Sequence, residues 1–234
     1  MKLTTLNKPI EHYPILYSLR NCPYAMRARI AIFKSKQPVL LRDLVLSDKP
    51  QAMLDASPKA TVPVVVIPKQ GNVQEQVIDE SLDVMLWALK RSDPNNLLLS
   101  ENDHALSQML SLIELFDREF KTVLEQYKCA KRYKEDNLTE TRAACLIYIA
   151  QLEARLSHHQ FLMSKQESLA DIALLPFIRQ FARVERQWYL QSPYPNLQAW
   201  LTRYLQSPMF TKVMAKYPPW LNQHEEFLLG GKKG

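Results

Sequence analysis

One cysteine stands where a reactive thiol is expected. Cys22 is followed at once by Pro23, and the residues beyond repeat apolar side chains at helical spacing. Proline is favoured at the first helical position, because an amide hydrogen there would have no partner. Cys22 therefore falls at the N-cap, facing backbone N–H groups that stabilise an anion. This placement favours a thiolate capable of disulfide exchange; the alternative is a cysteine that only packs in the core.

The composition limits the class of protein. The chain has 234 residues, and its three cysteines are an odd, widely spaced set that does not form a disulfide framework. No run of 18 apolar residues is present, and the first residues lack the apolar core of a signal peptide. These features predict a protein of the reducing cytoplasm with no stable membrane association.

The charge favours a small anionic ligand. The net charge is +6, of which residues 1–91 carry +5. These basic residues are scattered rather than clustered, so we expect no nucleic acid partner. Gly71 is the sole glycine before the last five residues, which excludes glycine-rich nucleotide loops. No Cys/His spacing matches a zinc site, so no metal is expected.

The elements that must position Cys22 follow the order βαβαββα, which fits a small sheet covered by helices. The patterns predict strands at 14–18, 39–44, 62–67 and 76–78, and helices at 23–36, 50–57 and 82–91. This first domain spans 12–91, and a polar, proline-containing linker follows at 92–100. Apolar residues at three- and four-residue steps predict an all-helical domain at 101–226, with an irregular tail from Pro218.

The segment Cys-Pro-Tyr-Ala-Met-Arg-Ala-Arg at 22–29 resembles the cytosolic glutathione transferase family. It is most similar to the omega class, whose motif is Cys-Pro-aromatic-x-x-Arg-x-Arg; two-domain bacterial glutaredoxins are related. The resemblance covers residues 12–220 and implies a thioredoxin-like N-terminal domain followed by an all-α domain. It also implies that Cys22 is the catalytic residue and that Cys22, Pro23 and Tyr24 contact glutathione, the cosubstrate.

Further residues match the omega class's glutathione site by spacing. Lys49 lies 27 residues and Val62 40 residues after Cys22, where the class has its Lys-Pro and Val-Pro pairs. Glu80 and Ser81 match the family's acidic-serine pair, although the preceding hairpin is longer here. The resemblance therefore implies that these four residues bind glutathione.

Each of these matches has a physical interpretation and a plainer alternative. The resemblance implies a cis bond between Val62 and Pro63, which would turn the Val62 backbone towards glutathione's cysteinyl backbone. The alternative is a trans proline that simply begins an edge strand. Glu80 suits the γ-glutamyl ammonium and Ser81 its carboxylate, but the pair could be only a helix start. Lys49 suits the glycyl carboxylate, or it is a solvated surface lysine.

The resemblance implies glutathione-dependent thiol transfer or reduction, of the thioltransferase or dehydroascorbate reductase type, on a small electrophilic or disulfide substrate. Ala25 occupies the position of a second, resolving cysteine, so the expected intermediate is a mixed disulfide between Cys22 and glutathione. A homodimer is a family expectation. The alternative is a related protein-interaction module with little catalysis. Channel-like membrane insertion is disfavoured by the four cations on the first helix: Arg27, Arg29, Lys34 and Lys36.

Overall fold

The protein, seen in a computed structural model, is described here for residues 10–72 and 74–231. It divides into two compact units. The first contains the residues up to 95 together with those from 208 onwards, and the second contains residues 96–207. The predicted fold class, a thioredoxin-like α/β domain followed by helices, is confirmed.

The first unit is built on a mixed sheet. Its strands are β1 (Ile15–Ser18), β2 (Val39–Asp43), β3 (Val64–Ile67), β4 (Gln76–Ile78) and β5 (Phe227–Leu229). They lie in the order β4-β3-β1-β2-β5; β1 and β2 run parallel, and every other neighbouring pair is antiparallel. Its helices are α1 (Pro23–Ser35), α2 (Gln51–Ala56), α3 (Ser81–Arg91), α10 (Pro208–Val213) and α11 (Trp220–Gln223).

Alternation along β1 directs neighbouring side chains to opposite faces of the sheet. Leu16 packs with Ala28 of α1 and Val84 of α3 in one apolar core. Tyr17 points the other way and packs with Met53 of α2 in a second core, against which Cys22 also rests. The two cores fix α1 on one face and α2 on the other, so the start of α1 is held at the end of β1.

The second unit is helical and contains α4 (Ala105–Leu115), α5 (Lys121–Tyr133), α6 (Leu138–His158), α7 (Leu169–Val184), α8 (Arg186–Gln191) and α9 (Pro195–Leu205). A π-helical segment, Phe116–Phe120, joins α4 to α5. Helix α7 begins with a capping box, in which Asp171 accepts hydrogen bonds from the backbone N–H and hydroxyl of Ser168, at 3.0 and 2.7 Å. The buried Asp171 also accepts the indole N–H of Trp200 at 2.9 Å, which ties α7 to α9.

The end of the chain differs from the sequence-based prediction. We expected residues 208–226 to belong to the helical domain and the tail from Pro218 to be irregular. Instead this segment belongs to the first unit, where Phe227 pairs with Leu41 and extends the sheet beyond β2. Glu226 accepts the Arg42 guanidinium at 2.8 Å and reinforces this pairing. A three-residue strand whose partner lies about 190 residues earlier leaves no local periodic signal, so sequence patterns missed it.

We predict that Gly230 locks this tail in place. Its φ is +76°, and a β-carbon there would lie 2.0 Å from the carbonyl oxygen of Gln37. Gly231 has a similar φ of +79°, but its β-carbon would make ordinary 3.6 Å contacts. Gly230→Ala should therefore lower the free energy of unfolding by about 2–4 kcal/mol, against about 1 kcal/mol for the matched Gly231→Ala. Urea denaturation measures both, and equal losses would contradict the close approach at Gln37.

Candidate functional site

Cys22 occupies the N-cap of α1, as its position before Pro23 predicts. Its backbone is extended, with φ −75° and ψ 126°, and its carbonyl accepts the first helical hydrogen bond, from the Met26 N–H at 2.9 Å. The thiol is half-buried rather than enclosed. Its sulfur thus lies at the positive end of a helix dipole and is accessible to a reacting molecule.

The second predicted feature, the bond between Val62 and Pro63, is cis. The Cys22 thiol lies 3.9 Å from the Val62 carbonyl oxygen, within reach of a weak S–H···O hydrogen bond. Two site residues that are 40 positions apart in the chain therefore meet. A thiol next to the backbone that leads into a strand is suited to a peptide that carries its own sulfur, because that peptide can pair with this backbone while its sulfur faces Cys22.

Ser81 is the first residue of α3 and is buried. Its hydroxyl oxygen accepts a hydrogen bond from Arg27 Nε at 2.9 Å. Because that contact uses an oxygen lone pair, the hydroxyl hydrogen is left to donate to another acceptor. No side chain of the described residues caps the amide groups at the start of α3. A hydroxyl donor beside uncapped helix N–H groups is a ready binding place for a carboxylate.

Glu80 lies directly before Ser81 and, with Asp79, forms an acidic pair. Lys59 Nζ contacts both carboxylates, Glu80 at 2.7 Å and Asp79 at 3.2 Å. Asp79 also accepts the Ser57 hydroxyl at 2.8 Å. The hydrogen bond from Ser57, followed by that from Lys59, lowers the pKa of Asp79 despite some desolvation. Both contacts favour an ionised Asp79, which adds a carboxylate to the site that the sequence analysis did not include.

Lys49 lies in the loop between β2 and α2, directly before the N-cap Pro50. It is half-buried, and within residues 10–72 and 74–231 it has no hydrogen-bond or ion-pair partner. The structure joins Cys22 to Val62 and Ser81 to α1, but among the described residues no hydrogen bond or ion pair connects Lys49 with this group. Its assignment to a glycyl carboxylate therefore still depends on its spacing from Cys22.

The two arginines of α1, Arg27 and Arg29, are both buried. Arg29 donates to the Ser18 hydroxyl from Nε, at 2.7 Å, and to Asp43 from Nη2, at 2.5 Å. Burial lowers the pKa of its guanidinium, and the charge of Asp43 opposes that shift. Arg27 is only 3% exposed and reaches Ser81 of α3. A signal for Arg29 was present, because it lies four residues after Ala25 and three before Ile32, on the apolar side of the helix.

In the described part of the chain, no group of three or more His, Cys, Asp or Glu side chains could hold a metal ion. None of the described helices is long and apolar enough to cross a membrane.

Comparison with known proteins agrees with this fold. Residues 16–96 match the sequence model of the glutathione S-transferase N-terminal domain, and residues 137–203 match that of the C-terminal domain. The chain therefore belongs to the glutathione S-transferase family.

The individual relatives share only low sequence identity with this chain. The pyrimidodiazepine synthase of Drosophila melanogaster is 28% identical over 207 residues, which cover 86% of this chain and 79% of that protein. A glutathione transferase family member from Pseudomonas fluorescens, solved with two glutathione molecules bound, superposes with a TM-score of 0.75 at 17% identity, covering 89% of this chain and 95% of that one. Glutathione transferase Omega 2C from Trametes versicolor gives 0.71 at 18% identity, with 86% and 93% covered.

The three cysteines should differ sharply in reactivity. Cys145 is buried in α6, and desolvation raises the pKa of its thiol to about 12. Cys129 is exposed on α5, and Cys22 is half-buried at its helix N-terminus. Iodoacetamide at pH 7 should therefore modify Cys22 fastest and leave Cys145 intact, because the thiolate is the reacting species. Mass spectrometry of peptides over time measures the three rates.

Denaturation supplies the control for this experiment, since Cys145 should react once the helical unit unfolds. If native Cys145 is modified as fast as Cys22, the burial of Cys145 in α6 is contradicted.

Proposed function

We propose that this protein is a glutathione-dependent thiol transferase that works through a mixed disulfide on Cys22. The observation that carries the proposal is the meeting of the Cys22 thiol with the Val62 carbonyl at the cis-proline bond, 3.9 Å apart. This juxtaposition suits a substrate that brings its own sulfur and pairs through its backbone, as glutathione does.

In the first step the Cys22 thiolate attacks the glutathione sulfur of a mixed disulfide. A bond forms between Cys22 and glutathione, and the other thiol leaves as a thiolate that takes a proton from water. A second glutathione thiolate then attacks the glutathione sulfur bound to Cys22, releasing glutathione disulfide and restoring the Cys22 thiolate. In sum, the mixed disulfide and one free glutathione give the released thiol and glutathione disulfide, and Cys22 is regenerated. Reduction of dehydroascorbate would instead take two electrons and two protons, which two glutathione thiols supply as they become glutathione disulfide.

Glutathione carries charges at both ends, and the site offers a partner for each. The γ-glutamyl carboxylate binds the Ser81 hydroxyl and the first amides of α3, and Arg27 donates a hydrogen bond to the oxygen of that serine. The ammonium of the same residue binds Glu80, with Asp79 beside it. Lys49 takes the glycyl carboxylate at the other end of the tripeptide.

The middle of glutathione lies between these ends. The backbone of its cysteine pairs with Val62, whose carbonyl and N–H are presented by the cis bond to Pro63. Pro23 and Tyr24 contact its sulfur end at the start of α1. With this placement the ligand thiol comes to rest beside Cys22, which is the arrangement that disulfide exchange requires.

The proposed activity also indicates a cellular compartment. Release of the second product consumes free glutathione, so we place the protein in the reducing cytoplasm, where that thiol is abundant. A homodimer remains the family expectation.

A transferase-like module that binds a partner protein without turnover is the competing function, and it differs by lacking the thiol exchange step.

Replacing Cys22 tests the mechanism. Cys22→Ala should lower thioltransferase activity on a glutathione mixed disulfide by roughly 100-fold or more, because the covalent intermediate is lost. Cys22→Ser should lose it equally but gain conjugation of an aryl halide, because a hydroxyl can donate to the thiolate of bound glutathione. Cys129→Ser is the matched control and should leave both rates unchanged.

Steady-state assays of the four proteins, with glutathione binding followed by calorimetry, separate the alternatives. Binding without turnover in the wild type would favour the interaction module. Full thioltransferase activity in Cys22→Ala would contradict the proposed mechanism.

A further inference from the structure

The acidic pair at the start of α3 already holds an ammonium group, and that group belongs to the protein. Lys59 Nζ lies 2.7 Å from a carboxylate oxygen of Glu80 and 3.2 Å from one of Asp79. The contact lies at the surface: the side chains of Lys59 and Glu80 are 52% and 63% exposed. A ligand ammonium that approaches Glu80 from solvent therefore meets a carboxylate that is already paired.

The turn that carries Lys59 does not depend on this pairing. The Ala60 N–H donates to the Ser57 carbonyl at 3.0 Å and closes the turn, and Ala60 has a left-handed φ of 54°. Ser57 is fully buried, and its hydroxyl donates to Asp79 at 2.8 Å. The turn is thus fastened to Asp79 through Ser57, and the Lys59 side chain can leave the acidic pair without unfolding the loop.

We propose that Lys59 is an internal competitor that occupies the ammonium position of the site until the ligand's own ammonium displaces it. This inference rests on the proposed function, in which Glu80 binds the γ-glutamyl ammonium of glutathione. Its physical basis is the placement of an exposed lysine within hydrogen-bond distance of an acidic pair that lies directly before Ser81 in the chain.

Displacement follows from charge. Two ammonium groups crowded against the same carboxylates would repel each other, whereas a departing Lys59 is readily hydrated because half of its side chain is already in solvent. Exposed ion pairs contribute little to stability, so the competition is weak. Removal of Lys59 should strengthen glutathione binding by roughly two- to five-fold, the range that such a pair supplies.

The competition is specific to ligands that carry the ammonium. Desamino-glutathione, in which hydrogen replaces the γ-glutamyl amino group, does not need the position that Lys59 fills. Its affinity should therefore stay the same or fall when Lys59 is removed, because the acidic pair loses its neutralising charge. The ratio of the two affinities is the decisive quantity, since a general change of charge or folding would alter both ligands together.

Isothermal titration calorimetry with glutathione and desamino-glutathione tests this at low and high salt. The variants are Lys59→Met, Lys59→Arg and Glu80→Gln, with Lys69→Met as a control that removes another exposed positive charge, from the segment between β3 and β4. Lys59→Met should raise the ratio of glutathione to desamino-glutathione affinity two- to five-fold, and the gain should shrink in high salt. Lys59→Arg and Lys69→Met should leave the ratio near that of the wild type.

The outcomes distinguish this inference from the function on which it rests. If the wild type binds glutathione and Glu80→Gln weakens it, but Lys59→Met leaves the ratio unchanged, Lys59 is no competitor and the inference is overturned. If Lys59→Met weakens both ligands, the lysine contacts the ligand directly, which also overturns it. Failure of the wild type to bind glutathione would overturn the proposed function itself, and this inference with it.

Discussion

The arrangement of the site depends on how α1 is fastened to the rest of the first unit. Arg29 is fully buried and binds Ser18 at the end of β1 and Asp43 at the end of β2, two residues that face each other in the parallel pair. A buried charge is tolerated only when it is paired, and removal of one partner from such a pair costs about 3–5 kcal/mol. The ion pair therefore fixes the middle of α1 against the sheet, and the helix carries Cys22 at its N-cap.

Arg27, a second buried arginine of α1, connects this helix to α3. Its Nε atom reaches Ser81 at the start of α3, so the two helix N-termini that the proposed mechanism uses are joined by one buried hydrogen bond. One terminus carries the thiol, and the other is the proposed position of a carboxylate. An anion-binding N-terminus is useful for catalysis only when it is held at a fixed distance from the reacting atom. The two arginines supply that rigidity from within α1.

Much of this arrangement follows from local patterns in the sequence. Pro23 marks the start of α1 and so places Cys22 at its N-cap, and the βαβαββα order defines the sheet, because each signal acts within a few residues. The cis bond at Pro63 was expected through the family resemblance, and the structure contains it. Contacts between residues that are far apart in the chain could not be predicted in this way. The burial of Arg27, the added strand β5 and the pairing of Lys59 with Glu80 each depend on a partner at least 20 positions away, so no local pattern reveals them.

The central claim is that Cys22 forms a disulfide with glutathione. Intact-mass analysis after treatment with glutathione disulfide, followed by peptide mapping, tests it most directly. The account predicts one glutathione per chain, attached to Cys22, removed by reduced glutathione and absent in Cys22→Ala. Attachment to the exposed Cys129 alone, with Cys22 unmodified, would contradict it.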